Sequence, residues 1–367
     1  MMGGSAQCPC SERATFAQQV DSIFSAVYPH EDEPGAAVFI RMGDDVLFKK
    51  CYGLADLETR EPITPLTNFC IASVSKQFSA VAVLQLAERG LLSLDDPVSK
   101  YFPEFQAAFF HDITLRHLLT HTSGIPDARD RSNRDFVLHA TDVASASYMR
   151  TLDHLNFTPG TQYEYINPTF QLLYQLIERV TGTAFEDYMH DYIFTPAEMT
   201  RATYFEEGRY IPFMAHGYTP AENGKGYTEF DYGEENFFAT KADGGLYCSI
   251  TDFDRWEQAL RDLAVWRNSS RTDAYRSHIT IPPDAEYGYH PYAGYGYGFF
   301  VQNRPGKEPI VYHTGDNGGF TIYAGKIPAR DIVFLFFSTR NDIERMPIVD
   351  SVLDLMDQRG WLNAPAK

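Results

Sequence analysis

The sequence has little positive charge, little cysteine and no long apolar run. Its 31 Lys and Arg residues stand against 49 Asp and Glu residues, for a formal charge of −18. Such a charge repels phosphate backbones and anionic lipid surfaces, so nucleic acid is not an expected partner. No apolar run approaches the ~18 residues of a membrane helix, and the N-terminal MMGGSAQCPCSER lacks a signal-peptide pattern. We expect no membrane span, and both a cytoplasmic protein and one whose leader was removed stay open.

Cysteine is too scarce for a disulfide framework. The five cysteines are an odd number, and only Cys8 and Cys10 lie close together. No paired CxxC spacing indicates a zinc site. His117 and His121 have the i, i+4 spacing of a metal pair, but RHLLTHTSG has no carboxylate between them and ends in a turn. We interpret both as structural histidines and expect neither a metal nor another cofactor.

Apolar residues, by contrast, are plentiful enough for a large core. They make up 44% of the 367 residues, with 27 Phe and 23 Tyr among them. A chain of this length exceeds what one hydrophobic core usually supports. We expect one large domain with two lobes, or two closely packed domains.

Strand patterns occur near both ends of the chain, and helix patterns lie between them. Alternating or apolar runs predict strands at 35–42, 45–53, 295–302, 309–315, 318–327 and 331–339. The first two strands are joined by the turn at Gly43-Asp44 and predict a hairpin. Amphipathic or buried periodicity predicts helices at 12–27, 75–89, 114–124, 167–182, 184–194 and 346–360.

This arrangement predicts an α/β (α+β) fold. We expect an antiparallel sheet of about five or more strands, built from both termini, flanked by helices and carrying an inserted, mostly helical lobe. The sheet lobe would comprise residues 12–72 and 240–367, and the helical lobe residues 73–239. Residues 1–11 would be a flexible leader, and residues 205–240 a long surface loop. The crevice between the lobes is the expected site.

The stretch IASVSKQFSA places a lysine in the first turn of a helix that is otherwise apolar. Ser73 and Lys76 lie one helical turn apart, so the amine reaches the hydroxyl. No charge occurs from Gln77 to Ala87, which indicates a helix buried nearly all round. Desolvation disfavours the ammonium form, so Lys76 is predicted to activate Ser73 as a nucleophile. The alternative is that Ser73 caps the helix and Lys76 points to water.

A second candidate pair, Tyr165 and Asn167, precedes the next helix pattern in YEYINPTF. Asn167 before Pro168 is a good helix start, and capping is the simpler interpretation. The functional interpretation needs Tyr165 close to Lys76, because a nearby cation lets a phenol accept and return a proton. Asn167 would then orient the substrate and hold Lys76.

The third candidate is the segment His313-Thr314-Gly315-Asp316, at the end of the strand pattern PIVYHTG. A histidine on a strand is usually a plain sheet residue. A glycine in a strand, however, lets another backbone approach closely, which suits a substrate lying along the strand.

In order, spacing and setting, these three motifs resemble those of the serine β-lactamase and penicillin-binding-protein superfamily. The resemblance is closest to its class C β-lactamase-like branch, which includes carboxylesterases and D-stereospecific peptidases, and it covers roughly residues 15 to 360. Further stretches similar to this branch are HLLTHTSGIPD, FTPGTQYEYINP, DGGLYCSITDFDRW and YGYGFF.

The resemblance implies a role for each motif residue. Ser73 corresponds to the acylated nucleophile, and Lys76 and Tyr165 to the acid/base pair. The substrate-binding residues that it implies are Asn167, His313, Thr314, Gly315 and Asp316. The oxyanion hole would consist of the backbone N–H groups of Ser73 and Asp316.

One position departs from the usual pattern. Most β-lactamases and DD-peptidases have a lysine where this chain has His313, and that lysine binds a substrate carboxylate. Histidine is largely neutral near pH 7. We therefore expect neutral esters or amides, or peptides with a free amino end, rather than anionic substrates.

The predicted activity is that of a serine hydrolase that acts through an acyl-enzyme on a small ester, amide or peptide, of the esterase or D-peptidase type. A true β-lactamase or DD-peptidase and an acyltransferase stay open, because they use the same residues. A catalytically silent binding protein with this fold is the alternative from another class, and the intact motifs count against it. The natural substrate and the oligomeric state are left open.

Two surface patterns have simpler interpretations. In YGYHPYAGYGYGFF, Tyr295, Tyr297 and Phe299 alternate as one face of a strand, which we favour over a lining of the acyl pocket. The acidic patch consists of Glu229, Asp231, Glu234 and Glu235. We favour a solvated loop there over a site that selects cationic substrates.

Overall fold

An antiparallel sheet forms the centre of this computed structural model, which describes residues 10–127, 141–206, 208–230, 240–283, 285 and 291–364. The strands are β1 (Ala36–Met42), β2 (Asp45–Tyr52), β3 (Phe69–Cys70), β4 (Thr203–Tyr204), β5 (Tyr218–Pro220), β6 (Tyr227–Glu229), β7 (Leu246–Cys248), β8 (Ile279–Thr280), β9 (Ala293–Tyr295), β10 (Phe300–Gln302), β11 (Ile310–Asn317), β12 (Phe320–Ile327) and β13 (Ile332–Ser338). The central sheet has eight strands in the order β2-β1-β13-β12-β11-β10-β9-β8. Because β1 pairs with β13, both ends of the chain meet in one sheet.

Alternate residues of the central strands face two different cores. Val38 of β1 and Phe336 of β13 face one core, while Phe39 and Leu335 face the other. This is the period of two of an extended strand. Because both faces are covered, these strands are nearly continuous apolar runs, which is why their sequences predict strands so clearly.

Helices cover both faces of the sheet. They are α1 (Cys10–Val27), α2 (Lys76–Glu88), α3 (Leu115–Leu119), α4 (Asp142–Met149), α5 (Pro168–Thr181), α6 (Phe185–Met189), α7 (Ile250–Arg261), α8 (Asn268–Ala274) and α9 (Arg345–Gln358). The terminal helices α1 and α9 share one core with the sheet, and α2 and α7 share the other. Within these helices, no stretch has both the length and the apolarity to cross a membrane, as far as the described residues extend.

The most deeply buried helix is α2, as its uncharged sequence predicts. The Phe78 ring stacks on Trp256 of α7 at 4.3 Å. The Trp256 indole N–H donates to Gln77 Oε1 across 2.9 Å, and the Ser79 hydroxyl donates to the carbonyl oxygen of Ala242 across 2.6 Å, so both polar neighbours of Phe78 have partners. A helix enclosed in this way gives the residues in its first turn a fixed position.

The predicted fold class and the N-terminal hairpin are confirmed, but two local predictions are wrong. The single strand predicted at 295–302 is two strands, β9 and β10, joined by a turn at Gly298 with φ +75°. The predicted loop 205–240 contains the hairpin of β5 and β6. Residues 10 and 11 of the predicted leader begin α1, and residues 1–9 lie outside the described residues. The division into lobes stays a prediction.

Candidate active site

Ser73 and Lys76 lie together at the start of α2. Ser73 belongs to a 3₁₀ turn, Ala72–Ser75, that leads directly into the helix, and Lys76 is the first helical residue. The Lys76 side chain is fully buried, with 0% exposure. Its Nζ donates to Ser73 Oγ across 3.0 Å. The structure therefore brings the amine and the hydroxyl together in a desolvated setting.

Two further acceptors hold the Lys76 amine. Its Nζ lies 2.6 Å from Asn167 Oδ1 and 3.0 Å from the carbonyl oxygen of Asp243. The three N–H groups of a lysine ammonium thus have a hydroxyl, an amide and a carbonyl oxygen as partners. The contact with Asp243 is absent from the sequence prediction, because a backbone carbonyl has no residue signature.

The Asn167 side chain serves Lys76 rather than the helix that it precedes. Asn167 occupies the N-cap position of α5, yet its side chain makes no capping hydrogen bond. Its carbonyl oxygen accepts the N–H groups of Phe170 and Gln171 instead. The capping interpretation therefore describes the position of Asn167 but not the use of its amide.

The Tyr165 ring lies beside Lys76 in a half-buried position. Its centroid is 5.1 Å from Lys76 Nζ, a distance at which a ring face attracts a cation. The ring packs against His121 at 4.2 Å and lies parallel to Phe300 at 6.2 Å. The Tyr165 ring and the Lys76 amine therefore lie side by side.

His313 is buried and neutral. Its exposure is 1%, its Nδ1 lies 2.7 Å from Thr314 O, and its Nε2 lies 2.9 Å from the Tyr295 hydroxyl. A carbonyl oxygen only accepts, so Nδ1 carries the proton and Tyr295 donates to Nε2. Burial, with the nearby Lys76 charge, lowers the pKa of His313 to about 3. No positive charge is therefore expected on β11 at position 313 near neutral pH.

Gly315 brings β11 against the segment that carries Ser73. A Cβ at this position would lie 2.4 Å from the carbonyl oxygen of Ile71 and 3.1 Å from Ala72 Cβ. Only glycine fits at such a distance from backbone. The close approach places the third motif next to the turn of the first, as the strand glycine predicts.

Asp316 forms an ion pair that the sequence analysis does not contain. Arg345, the first residue of α9, donates to both oxygens of Asp316 across 2.9 Å. Arg345 is buried, while the Asp316 side chain is 53% exposed. A cation beside the third motif thus already has a carboxylate partner within the protein.

The aromatic residues after β8 do not form one strand face. Tyr295 is buried beside His313, whereas Tyr297 stacks on His278 at 4.2 Å and Phe299 lies near Tyr275. The strand β9 ends at Tyr295, and the turn at Gly298 lies between Tyr297 and Phe299, so the predicted alternation is wrong. Of the predicted acidic patch, Glu229 is exposed on β6, and Asp231, Glu234 and Glu235 lie outside the described residues.

The two histidines at i, i+4 have different surroundings. His117 accepts the Thr114 N–H at Nδ1 in a capping box at the start of α3. His121 lies instead against Tyr165, inside the candidate site. In the part of the chain that the structure describes, no group of three or more His, Cys, Asp or Glu side chains is arranged to hold a metal ion.

Comparison with known proteins agrees with the family that the three motifs indicate. The Beta-lactamase family matches residues 13–355. Penicillin-binding protein 4* of Bacillus subtilis (strain 168) is 28% identical over 298 residues, which are 76% of this chain and 62% of that protein. The chain thus spans less than two thirds of that relative's length.

Solved structures share the fold. The octameric penicillin-binding protein homologue from Pyrococcus abyssi superimposes with a TM-score of 0.80 at 27% identity, covering 94% of this chain and 77% of that chain. The D-amino acid amidase from Ochrobactrum anthropi SV3 superimposes with a TM-score of 0.77 at 20% identity, covering 94% and 99%. At 20% identity the likeness concerns the fold alone.

The extent of the family match decides the assignment. It covers nearly all of the chain, including all three motifs. The family match indicates a serine hydrolase, as the motifs predict, while the class C-like branch stays a prediction. The chain belongs to the Beta-lactamase family.

Proposed function

We propose that the protein hydrolyses neutral carboxylic esters or amides, including amides and short peptides with a free amino end, through an acyl-enzyme on Ser73. The observation that carries the proposal is the 3.0 Å hydrogen bond between Ser73 Oγ and the Nζ of Lys76, whose side chain is fully buried. A hydroxyl becomes an effective nucleophile when an adjacent base takes its proton.

The proposed reaction has two steps that use the same groups. In the first, the Ser73 proton moves to the Tyr165 phenolate of the Lys76–Tyr165 pair, because all three N–H groups of Lys76 are donors, while Oγ bonds to the substrate carbonyl carbon. The bond from that carbon to the leaving oxygen or nitrogen then breaks, and the leaving group takes the proton. In the second, water gives a proton to the pair and attacks the acyl carbon. The acid leaves, and Oγ regains a proton.

The oxyanion that forms in each step needs two donors. We assign them to the backbone N–H groups of Ser73 and Asp316. The support is the close approach of β11 to Ile71, which sets the two segments side by side. Preorganised N–H donors of this kind stabilise a developing negative charge by several kcal/mol, about 3 per donor.

The charges around the site favour an uncharged or cationic substrate. His313 is neutral, and Arg345 is paired with Asp316. The Asp316 carboxylate is half exposed at the end of β11, where it could pair with a substrate ammonium group. Neither the neutral His313 nor the paired Arg345 offers a carboxylate-bearing substrate an unpaired positive charge. D-amino-acid amides belong in the first screen, because an amidase of that specificity shares the fold.

The proposal is tested by comparing Ser73→Ala with Ser75→Ala. Ser75 lies in the same 3₁₀ turn, but its Oγ accepts the Leu246 N–H rather than a bond from Lys76. Turnover of p-nitrophenyl acetate and labelling by a fluorophosphonate should disappear in Ser73→Ala and persist in Ser75→Ala. Hydrolysis that survives Ser73→Ala unaltered would contradict the proposal.

The same assay separates the alternatives. Faster turnover of nitrocefin than of any ester or amide would indicate a β-lactamase. Ester consumption that speeds up with added alcohol or amine, with a new ester or amide as product, would indicate an acyltransferase. A folded wild-type protein that neither labels nor turns over any of these compounds would be a binding protein.

A further inference from the structure

His121 has a backbone conformation that is unusual for its residue type. It lies two residues beyond the end of α3, with φ +55°, in the left-handed region. A residue with a Cβ stays in this region only when the surrounding structure fixes it. The contacts of His121 with the surrounding structure therefore fix this backbone conformation.

Two hydrogen bonds join His121 to the segment that carries Tyr165. The His121 carbonyl oxygen accepts the Glu164 N–H across 3.0 Å. Its Nδ1 accepts the Ile166 N–H across 3.3 Å. One residue thus holds the backbone on both sides of Tyr165, and Asn167 is the next residue along the chain.

The imidazole ring also packs against the phenol. It is 0% exposed and lies 4.2 Å from the Tyr165 ring, 4.8 Å from Tyr295 and 5.0 Å from Phe170. A ring enclosed on several sides has one position. The Tyr165 ring contacts both this imidazole and the Lys76 amine. The imidazole therefore fixes the position of the Tyr165 ring beside Lys76.

The protonation state of His121 follows from these contacts. Because Nδ1 accepts the Ile166 N–H, the neutral ring carries its proton on Nε2, and within the described residues Nε2 has no hydrogen-bond partner. Burial, with the nearby charge of Lys76, lowers the pKa of His121 well below its usual value. The other titratable groups facing the ring are Tyr163, Tyr165 and Tyr295. A neutral imidazole adds no second positive charge beside Lys76.

We propose that His121 is a positioning residue that sets Tyr165 and Asn167 against Lys76, through the two amides flanking Tyr165 and through its ring. The inference rests on the proposed function, because the groups that it positions are the proposed catalytic ones. It assigns a task to a histidine that the sequence pattern suggests only as structural.

Turnover of a p-nitrophenyl ester tests the proposal. His121→Ala should lower kcat by about 10- to 100-fold with little change in KM, since misplacing a catalytic group by about 1 Å has effects of this size. His121→Asn retains an acceptor near the Nδ1 position and tolerates a positive φ, so it should recover kcat to within about fivefold of wild type. His117→Ala is the matched control, because His117 caps α3 outside the site.

The pH profile distinguishes positioning from proton transfer. In His121→Asn the acid limb of kcat/KM should keep its wild-type midpoint, because a neutral His121 does not titrate there. Loss of that limb would make His121 the base and overturn the inference. Should His121→Ala fail to fold, His121→Gly replaces it. Glycine adopts the left-handed conformation without strain and so retains the carbonyl bond to Glu164.

Amide hydrogen exchange gives a readout that does not depend on catalysis. Exchange at Ile166, whose N–H loses its Nδ1 acceptor, should speed up in His121→Ala and not in His117→Ala. Faster exchange with a kcat no lower than that of His117→Ala would contradict the positioning role. Absence of Ser73-dependent turnover in the wild type would instead contradict the proposed function, and the exchange result would still report the contacts of His121.

Discussion

Two buried lysines of this protein have closely matched surroundings and different partners. Lys76 is 0% and Lys326 is 7% exposed, and each has a tyrosine ring 5.1 Å from its Nζ, from Tyr165 and Tyr275 respectively. Lys326 donates to both oxygens of Glu257 across 2.9 Å. Lys76 donates to a hydroxyl, an amide oxygen and a backbone carbonyl.

The difference shows that burial alone does not mark a functional lysine. Burial lowers the pKa of Lys326, and the Glu257 carboxylate opposes that shift and holds the proton in a closed pair. The contacts described for Lys76 are dipoles and the Ser73 hydroxyl. A proton on Lys76 therefore has a route to a nucleophile, whereas the proton on Lys326 has a fixed counterion.

The largest effects are expected when each lysine is replaced by methionine. Lys76→Met should lower kcat by about 10³-fold, the middle of the range for acid/base groups. Lys326→Met should leave kcat per folded molecule unchanged but lower the free energy of unfolding by about 3–5 kcal/mol, because Glu257 stays buried without its partner. Ester turnover with active-site titration, and urea unfolding, measure the two quantities.

A double replacement checks the second half of this prediction. Lys326→Met combined with Glu257→Leu removes both charges, and the free energy of unfolding should recover most of the loss. A fall in kcat after Lys326→Met as large as that after Lys76→Met would mean that the two lysines are not functionally distinct.

The two tyrosines give a second matched pair, with a smaller expected effect. Tyr165→Phe should lower kcat by roughly 100-fold, because the ring stays beside Lys76 but the hydroxyl no longer transfers a proton. Tyr275→Phe, beside Lys326, should change kcat by less than about twofold. Steady-state kinetics on one ester separates the outcomes, and an effect of Tyr165→Phe on KM alone would make Tyr165 a binding residue.

The sequence predicts the parts of this site that lie close together in the chain. Ser73 and Lys76 are one turn apart, and the uncharged α2 shows that the lysine is buried. The carbonyl of Asp243 and the pairing of Arg345 with Asp316 have no such signal, because tertiary packing alone brings them to the site. The spacing of His121 from His117 suggested a pair, whereas the backbone turn directs His121 toward Tyr165.

The sequence also predicts the fold best where strands are long and covered on both faces. The strands β1, β12 and β13 have seven or eight residues each and are buried over almost their whole length. The sequence pattern predicts one strand where the short strands β9 and β10 form, because alternating aromatic residues continue through the turn. Gly298, with its positive φ and its position against Ala80, lies in the turn between the two strands, and only the folded environment fixes that conformation.

A third buried lysine can be created next to the first. In His313→Lys the new amine would be buried near Lys76. It would have no carboxylate partner like the Glu257 of Lys326 until a substrate carboxylate binds. The ratio of kcat/KM for a carboxylate-bearing β-lactam to that for a neutral ester should rise by about tenfold, or 1.4 kcal/mol. An unchanged ratio would assign the preference to the Asp316–Arg345 pair instead.

The last prediction concerns the stability of the protein around Lys76 as the pH falls. Because burial and the Lys76 charge lower the pKa of His313 from 6.5 to about 3, the unfolded chain binds this proton more readily than the folded protein. The contribution of the neutral His313 to the free energy of unfolding is fully present above pH 6.5 and is lost as the pH falls from 6.5 to about 3. In His313→Gln the free energy of unfolding should therefore decline less steeply with falling pH, by about 1.4 kcal/mol per pH unit.

Urea unfolding at a series of pH values measures the slope, with His154→Gln on the surface as the control substitution. An identical slope in His313→Gln and wild type would show that His313 is charged in the folded protein, and the argument for a neutral third motif would fail with it.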